Sequence, residues 1–203
     1  MANSPCVYIV DDDQQVRSAL KLLMESVGLD VETYASAQEY LEQFDVNRPG
    51  CLMIEVRMPG ISGLDLQARL AAEKIHPPII IITGHGDVPM AVRAVQSGAI
   101  DFIEKPFNNQ NMLDSVHQAL ELDSRQRGES SRLQEIEANF QTLTPREKQV
   151  LQLVIEGQRN KIIAAELNIS QSTVEAHRSR VMEKMQAATL SDLMRMALSL
   201  KLV

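Results

Sequence analysis

The chain has 203 residues, 44% of them hydrophobic and 23% charged, with 27 acidic against 20 basic side chains. That is the balance of an ordinary globular protein with room for two modest domains. No apolar stretch approaches the roughly 18 residues that span a bilayer. The start, Met1-Ala2-Asn3-Ser4-Pro5, lacks the basic and apolar segments of a secretory signal, so a cytoplasmic protein is expected, with no membrane partner. Two cysteines support neither a disulfide scaffold nor a zinc site, and Cys6 and Cys51 are read as packing residues of two strands.

The charge is unevenly spread. Residues 1–122 hold 8 basic and 17 acidic side chains, a balance of −9, whereas residues 143–203 hold 9 basic and 6 acidic, a balance of +3. An acidic half that binds cations and a mildly basic half that approaches polyanions is the division this suggests.

In chain order, the apolar run Val7-Tyr8-Ile9-Val10 ends in Asp11-Asp12-Asp13. Leu52-Met53-Ile54 ends in Glu55 and is followed by Arg57-Met58-Pro59-Gly60. Ile79 to Ile82 ends in Thr83-Gly84, and Phe102-Ile103 ends in Glu104-Lys105-Pro106. Helical spacing separates the runs: Val16, Leu20, Leu23 and Met24; Leu66 and Leu70 after a cap at Ser62; Ala91, Ala94 and Val95 up to Gly98. Alternating apolar strands and helices predict a doubly wound parallel sheet covered on both faces, with its site at the carboxyl ends of the strands. Acids, an acid, a hydroxyl and an amine are all delivered there.

A helix with Leu113, Val116 and Leu120 on one face closes this half. The segment Arg127-Gly128-Glu129-Ser130-Ser131 is expected to interrupt it, with a second segment, capped by Ser131 and Gln134, carrying Leu133, Ile136 and Phe140. The two stripes differ in phase, so a solvated helical linker over residues 123–142 with a break at Gly128 is preferred to one coiled-coil seam. Beyond it, Thr144-Pro145-Arg146-Glu147 sets a cap, a first-turn proline and a capping-box glutamate ahead of Val150, Leu151 and Val154. A helix from Asn160 to Leu167, the tight Asn168-Ile169-Ser170 connection and a third helix carrying Val174, Arg178, Val181 and Met185 complete a helix-turn-helix pattern.

The order acidic cluster, carboxylate before x-x-Met-Pro-Gly, Thr and Lys-Pro resembles the receiver domain of two-component response regulators. The string Leu143-Thr-Pro-Arg-Glu, Gly157, Asn160-Lys161-x-Ile163-Ala164 and Ile169-Ser170-x-x-Thr173-Val174-x-x-His177-Arg178 resembles the LuxR-type DNA-binding domain. Together the chain is similar to the FixJ/NarL class. That resemblance implies a five-stranded sheet in the flavodoxin-like order, a receiver over 1–122, the helical linker 123–142 and a small all-α output domain over 143–203. It implies a transcriptional regulator whose receiver controls dimerisation and DNA binding, with double-stranded promoter DNA, RNA polymerase and a second copy of the chain as partners. A sensor histidine kinase would serve the receiver if its acceptor were the family's aspartate. Activation would expose a dimer face that here includes Val92, Val95 and Phe102.

In the receiver, Asp11, Asp12, the carboxylate at 55 and the Arg57 carbonyl suit Mg²⁺. Thr83, Phe102 and Lys105 match the family's switch residues. The departure is Glu55, which stands where the family carries the phospho-accepting aspartate. One extra methylene moves the carboxylate by about 1.4 Å, on the order of a bond length, whereas catalytic geometry tolerates about 0.5 Å. Phosphotransfer into Glu55 is therefore expected to be poor and Mg²⁺ binding altered. The longer side chain is expected instead to reach toward Thr83 and Lys105, a partial imitation of a phosphorylated aspartate, since a phosphate brings nearly two charges and three acceptors. A natural receiver that gave up phosphorylation and a deliberately introduced glutamate both fit.

In the output domain the helix beginning near Ser170 is expected in the major groove, with Glu175, Ala176 and Ser179 toward base edges. Lys161, Ser172, Thr173, Arg178 and Arg180 are expected on phosphates, and His177 as a satisfied, semi-buried residue. Leu193, Met194, Met196, Ala197 and Leu200 crowd a last helix that the family uses for dimerisation. Two other readings stay open: a regulator switched without phosphate, and, from a different class, a haloacid-dehalogenase-type phosphatase suggested by Asp11-x-Asp13 with Thr83 and a downstream lysine. Those enzymes need a hydroxyl residue soon after the acidic pair, where this chain has Gln14-Gln15-Val16 and no cap insertion.

Overall fold

Five parallel strands, β1 (Cys6–Val10), β2 (Asp30–Tyr34), β3 (Gly50–Glu55), β4 (Ile79–Thr83) and β5 (Asp101–Glu104), pair in the order β2-β1-β3-β4-β5. The structure is a computed structural model that describes residues 4–202; Met1 to Asn3, which open the stretch read as lacking a leader, and Val203 lie outside the described residues. β1, β3 and β4 are buried throughout, as their unbroken apolar runs require when helices cover both faces. The edge strand β2, Asp-Val-Glu-Thr-Tyr, is only half-buried, and its polar composition explains why no apolar run announces it.

Helices α1 (Gln14–Ser26) and α5 (Asn109–Gln141) pack Leu20, Met24, Met112, Val116 and Ala119 on one face of the sheet. Helices α2 (Ala37–Gln43), α3 (Gly63–Ala72) and α4 (Val88–Gln96) close the other with Tyr40, Leu66, Leu70 and Ala94. Cys6 pairs with Gly50 and Val7 with Cys51, so the two thiols project to opposite faces and pack in separate cores. Asp13 caps α1, its carboxylate accepting from Gln15 N at 2.7 Å, and Ser62 caps α3 as expected.

The interruption expected at Gly128 is not present. α5 runs unbroken for 33 residues, and Ser131 and Gln134 are helix-interior residues rather than a cap. A glycine in a helix costs only about 1 kcal/mol, and the turn before it is riveted. The buried Asp123 accepts from Gly50 N at 2.9 Å, and Arg127 pairs with Asp123 while donating to the carbonyls of Val46, Asn47 and Arg48. The chain divides into two compact units after Arg127.

In the second unit, Ile136 and Phe140 at the end of α5 join a core with α6 (Pro145–Ile155), α7 (Asn160–Glu166), α8 (Gln171–Lys184) and α9 (Leu190–Ser199). The capping box of Thr144 and Glu147 forms with Pro145 in the first turn, and Ser170 caps α8. Glu147 is also buried against Lys184, its Oε2 2.7 Å from Nζ. That hydrogen bond, with the Thr144 N–H, holds the Glu147 carboxyl down at about 2. No helix among the described residues is long and apolar enough to cross a membrane.

Candidate functional site

The carboxyl ends of β1, β3, β4 and β5 bring Asp11, Glu55, Thr83 and Lys105 together. Lys105 Nζ donates to Asp11 Oδ2 at 2.6 Å and to Glu55 Oε2 at 2.8 Å. The remaining oxygens are engaged by backbone: Asp13 N donates to Asp11 Oδ1 at 2.9 Å, and Arg57 N to Glu55 Oε1 at 3.1 Å. Thr83 is fully buried beside them, its Oγ1 accepting from His85 N, and the Lys105 backbone N–H donates to the Thr83 carbonyl at 2.8 Å.

Burial pulls the Glu55 carboxyl up. The Lys105 hydrogen bond, the Arg57 N–H and the Thr83 hydroxyl outweigh it and hold the group below its ordinary range. For Lys105, burial pulls the ammonium down, and the bonds to Asp11 and Glu55 more than reverse that. Glu55 and Lys105 thus each stabilise the other's charge.

Two local features build this arrangement. Arg17 Nη1 donates to the Asp11 carbonyl at 2.6 Å and fixes the end of β1, a role its sequence position did not announce. Gly63 opens α3 directly against β3: a Cβ there would lie 2.4 Å from the Glu55 carbonyl oxygen. Phe102 is half-buried, with its ring against Gly86 next to Thr83.

The donors expected for Mg²⁺ do not close around a cation in this geometry. Asp12 is exposed, the Asp11 and Glu55 oxygens are taken by Lys105 and backbone N–H groups, and no cluster of three or more acids, thiols or imidazoles poised for a metal occurs among the described residues. The local positive charge comes from Lys105.

On the output domain, α8 buries Val174 and Val181 and leaves Ser172, Thr173, Glu175, Ala176, Ser179 and Arg180 exposed, with Lys161 exposed on α7. Ser172 and Thr173 hydroxyls lie 2.8 Å from the capping Ser170 Oγ. Arg178, expected on a phosphate, is half-buried, and its Nη1 donates to Asn160 Oδ1 at 3.2 Å. His177 is half-buried as expected, yet its Nδ1 is buried without a hydrogen-bond partner.

The residues of α9 expected at a dimer face divide by burial. Leu193 and Ala197 are 2% and 1% exposed and belong to the domain core, and Met194, Met196 and Leu200 pack partly against it. The apolar side chains that α9 leaves open are Leu190 and Leu198, 48% and 58% exposed, with Met194 between them at i+4 spacing. Counting apolar residues could not separate the two faces; the helical phase relative to Leu193 does.

Residues 7–117 match the response regulator receiver domain, and residues 141–197 match the luxR family of bacterial regulatory proteins. Nodulation protein W of Bradyrhizobium diazoefficiens is 47% identical over 94% of this chain and 84% of its own length. The response regulator protein TodT of Pseudomonas putida is 46% identical over 96% and 86%. The transcriptional regulatory protein FixJ of Rhizobium meliloti is 44% identical over 95% of each chain. Among solved structures, the response regulator StyR superposes with a TM-score of 0.88 at 44% identity, covering 96% of this chain and 98% of that one. Full-length FixJ from B. japonicum superposes with a TM-score of 0.59 at 39% identity, covering 99% of both. The family is one of transcription regulators, not of enzymes, and its receivers generally bind Mg²⁺ for phosphorylation. The chain belongs to the response regulators that join a receiver domain to a LuxR-type DNA-binding domain, and it is a transcriptional regulator of the two-component type.

Proposed function

We propose that this regulator works with its receiver fixed in the activated sense, Glu55 standing in part for a phosphorylated aspartate. The observation that carries this is Lys105, which holds Glu55 Oε2 at 2.8 Å while Thr83 is buried alongside. A phosphoryl group on an aspartate would be held by the same amine and hydroxyl. With every oxygen of both carboxylates already engaged by an internal donor, Mg²⁺ binds weakly and phosphotransfer from a sensor histidine kinase finds no acceptor. An aspartate at 55 would restore both.

The receiver, proposed over 1–122 with 123–142 as linker, controls an output domain over 143–203 that binds promoter DNA as a homodimer and acts on RNA polymerase in the cytoplasm. Glu175, Ala176 and Ser179 are assigned to base edges, and Lys161, Ser172, Thr173 and Arg180 to phosphates. The exposure of all seven supports this. For dimerisation, exposure favours Leu190, Met194 and Leu198 on α9 over the buried Leu193 and Ala197. Val88, Val92 and Val95, exposed on α4, support a second dimer face on the receiver.

The test is sedimentation of the protein beside its Glu55→Asp variant, each with and without Mg²⁺ and a small phosphodonor. The expected result is a dimer for the native protein under all conditions and a donor-dependent dimer for the variant. A native protein that stays monomeric throughout while the variant dimerises on donor addition overturns the reading.

A further inference from the structure

Asn160 opens α7 behind Arg159, whose side chain makes no capping hydrogen bond. Asparagine is among the residues best suited to cap a helix, yet this carboxamide is turned toward α8. Its Oδ1 accepts from Arg178 Nη1 at 3.2 Å, and its Nδ2 donates to Glu175 Oε1 at 3.5 Å. Only this orientation of the amide satisfies both neighbours, because a guanidinium has no acceptor and a carboxylate no donor. Glu175 and Arg178 stand three residues apart on α8, a spacing at which such a pair ordinarily meets directly. Here the amide is inserted between them.

We infer that Asn160 is a positioning residue for base reading, which orients the exposed Glu175 carboxylate by tying it to the half-buried Arg178. The inference rests on the assignment of Glu175 to a base edge. An acid carried into the major groove meets repulsion from the phosphates and, on a free side chain, loses rotamer freedom when it binds. The bridge answers both difficulties: Arg178 supplies a compensating charge, and the amide fixes the carboxylate before contact. A carboxylate so presented accepts from cytosine N4. Arg178 thereby serves the reading acid rather than a phosphate, which separates it from Lys161 and Arg180.

The full chain and its Asn160→Ala, Asn160→Asp, Glu175→Ala and doubly substituted Asn160→Ala/Glu175→Ala variants would each be bound to a duplex pool with a randomised central segment, and the bound fraction sequenced. Asn160→Ala is expected to weaken the preference at the same base pair as Glu175→Ala, by up to about tenfold, the scale of one hydrogen bond. The double variant should add nothing further. Asn160→Asp retains an acceptor for Arg178 but sets a second acid beside Glu175, and is expected to lose that preference at least as fully while folding normally. For the charge-neutral Asn160→Ala, affinity for unselected duplex and its salt dependence should be unchanged. Uniform weakening of Asn160→Ala on all sequences, or a base preference unaltered by Asn160→Ala where Glu175→Ala alters it, overturns the inference. If Glu175→Ala alters no base preference, the base-edge assignment itself fails and the positioning role falls with it.

Discussion

Lys105 is the one amine, among the described residues, between two buried acids, 2.8 Å from Glu55 and 2.6 Å from Asp11. Replacing it by methionine leaves both carboxylates buried without a cation, a change that typically costs about 3 kcal/mol. The pH dependence should also change sign. In the native protein Glu55 is held below its ordinary value of 4.5, so its contribution is present above that pH and is lost as pH falls below it. In Lys105→Met, burial loses its main counterweight, with only the Arg57 N–H and the Thr83 hydroxyl left to oppose it, and the Glu55 carboxyl should move up, so stability should rise as pH falls from about 8 to about 5. Urea midpoints across that range decide it, and a profile parallel to the native one would count against the shared-cation description.

The output domain carries its own acid-sensitive pair. Glu147 is buried against Lys184 with its carboxyl lowered to about 2 from 4.5. Its contribution is complete above pH 4.5 and should fade as pH falls from there to about 2. Lys184→Met should destabilise this domain by about 3 kcal/mol at neutral pH, since it strands a buried acid. Adding Glu147→Gln should recover part of the loss. Thermal unfolding followed by helical circular dichroism would show both effects.

Association and folding should separate along α9. Leu198→Ser is expected to leave stability within about 0.5 kcal/mol, as exposed changes do, while weakening self-association. Leu193→Ser, in the core, should cost about 3 kcal/mol or more. Sedimentation and chemical denaturation, run on both variants, distinguish the two faces; equal loss of association without loss of stability in Leu193→Ser would refute the division.

Gly128 offers a test of the unbroken α5. A Cβ there meets nothing within 4 Å, so Gly128→Ala should fit the helix and firm it by about 0.5–1 kcal/mol. Slower amide exchange across the turns flanking residue 128 is the readout, and unchanged exchange would contradict a helical residue at this position.

The sequence made most of the first half legible because a buried parallel strand must be apolar and its chemistry must sit at its end. Val7–Val10, Leu52–Ile54 and Ile79–Ile82 therefore announced β1, β3 and β4 together with Asp11, Glu55 and Thr83. The edge strand β2 escaped because one side faces water and its residues are mixed. The break assigned to Gly128 failed because propensity was weighed without Arg127, whose rivet to the Val46–Arg48 carbonyls joins residues some eighty positions apart. The bridging role of Asn160 was hidden for a related reason: the motif fixed its identity, and only the packing of α7 on α8 shows its partners.

Gly63 sets the direction in which change at position 55 is absorbed. With the first turn of α3 pressed on the Glu55 carbonyl, the strand end has a wall of backbone behind it and no freedom to retreat. Exchange between a shorter and a longer acid is thus taken up at the side-chain tip alone, where a flexible lysine can follow it. A receiver built this way tolerates a changed acceptor without disturbing its sheet, so its fold and its chemistry are free to diverge.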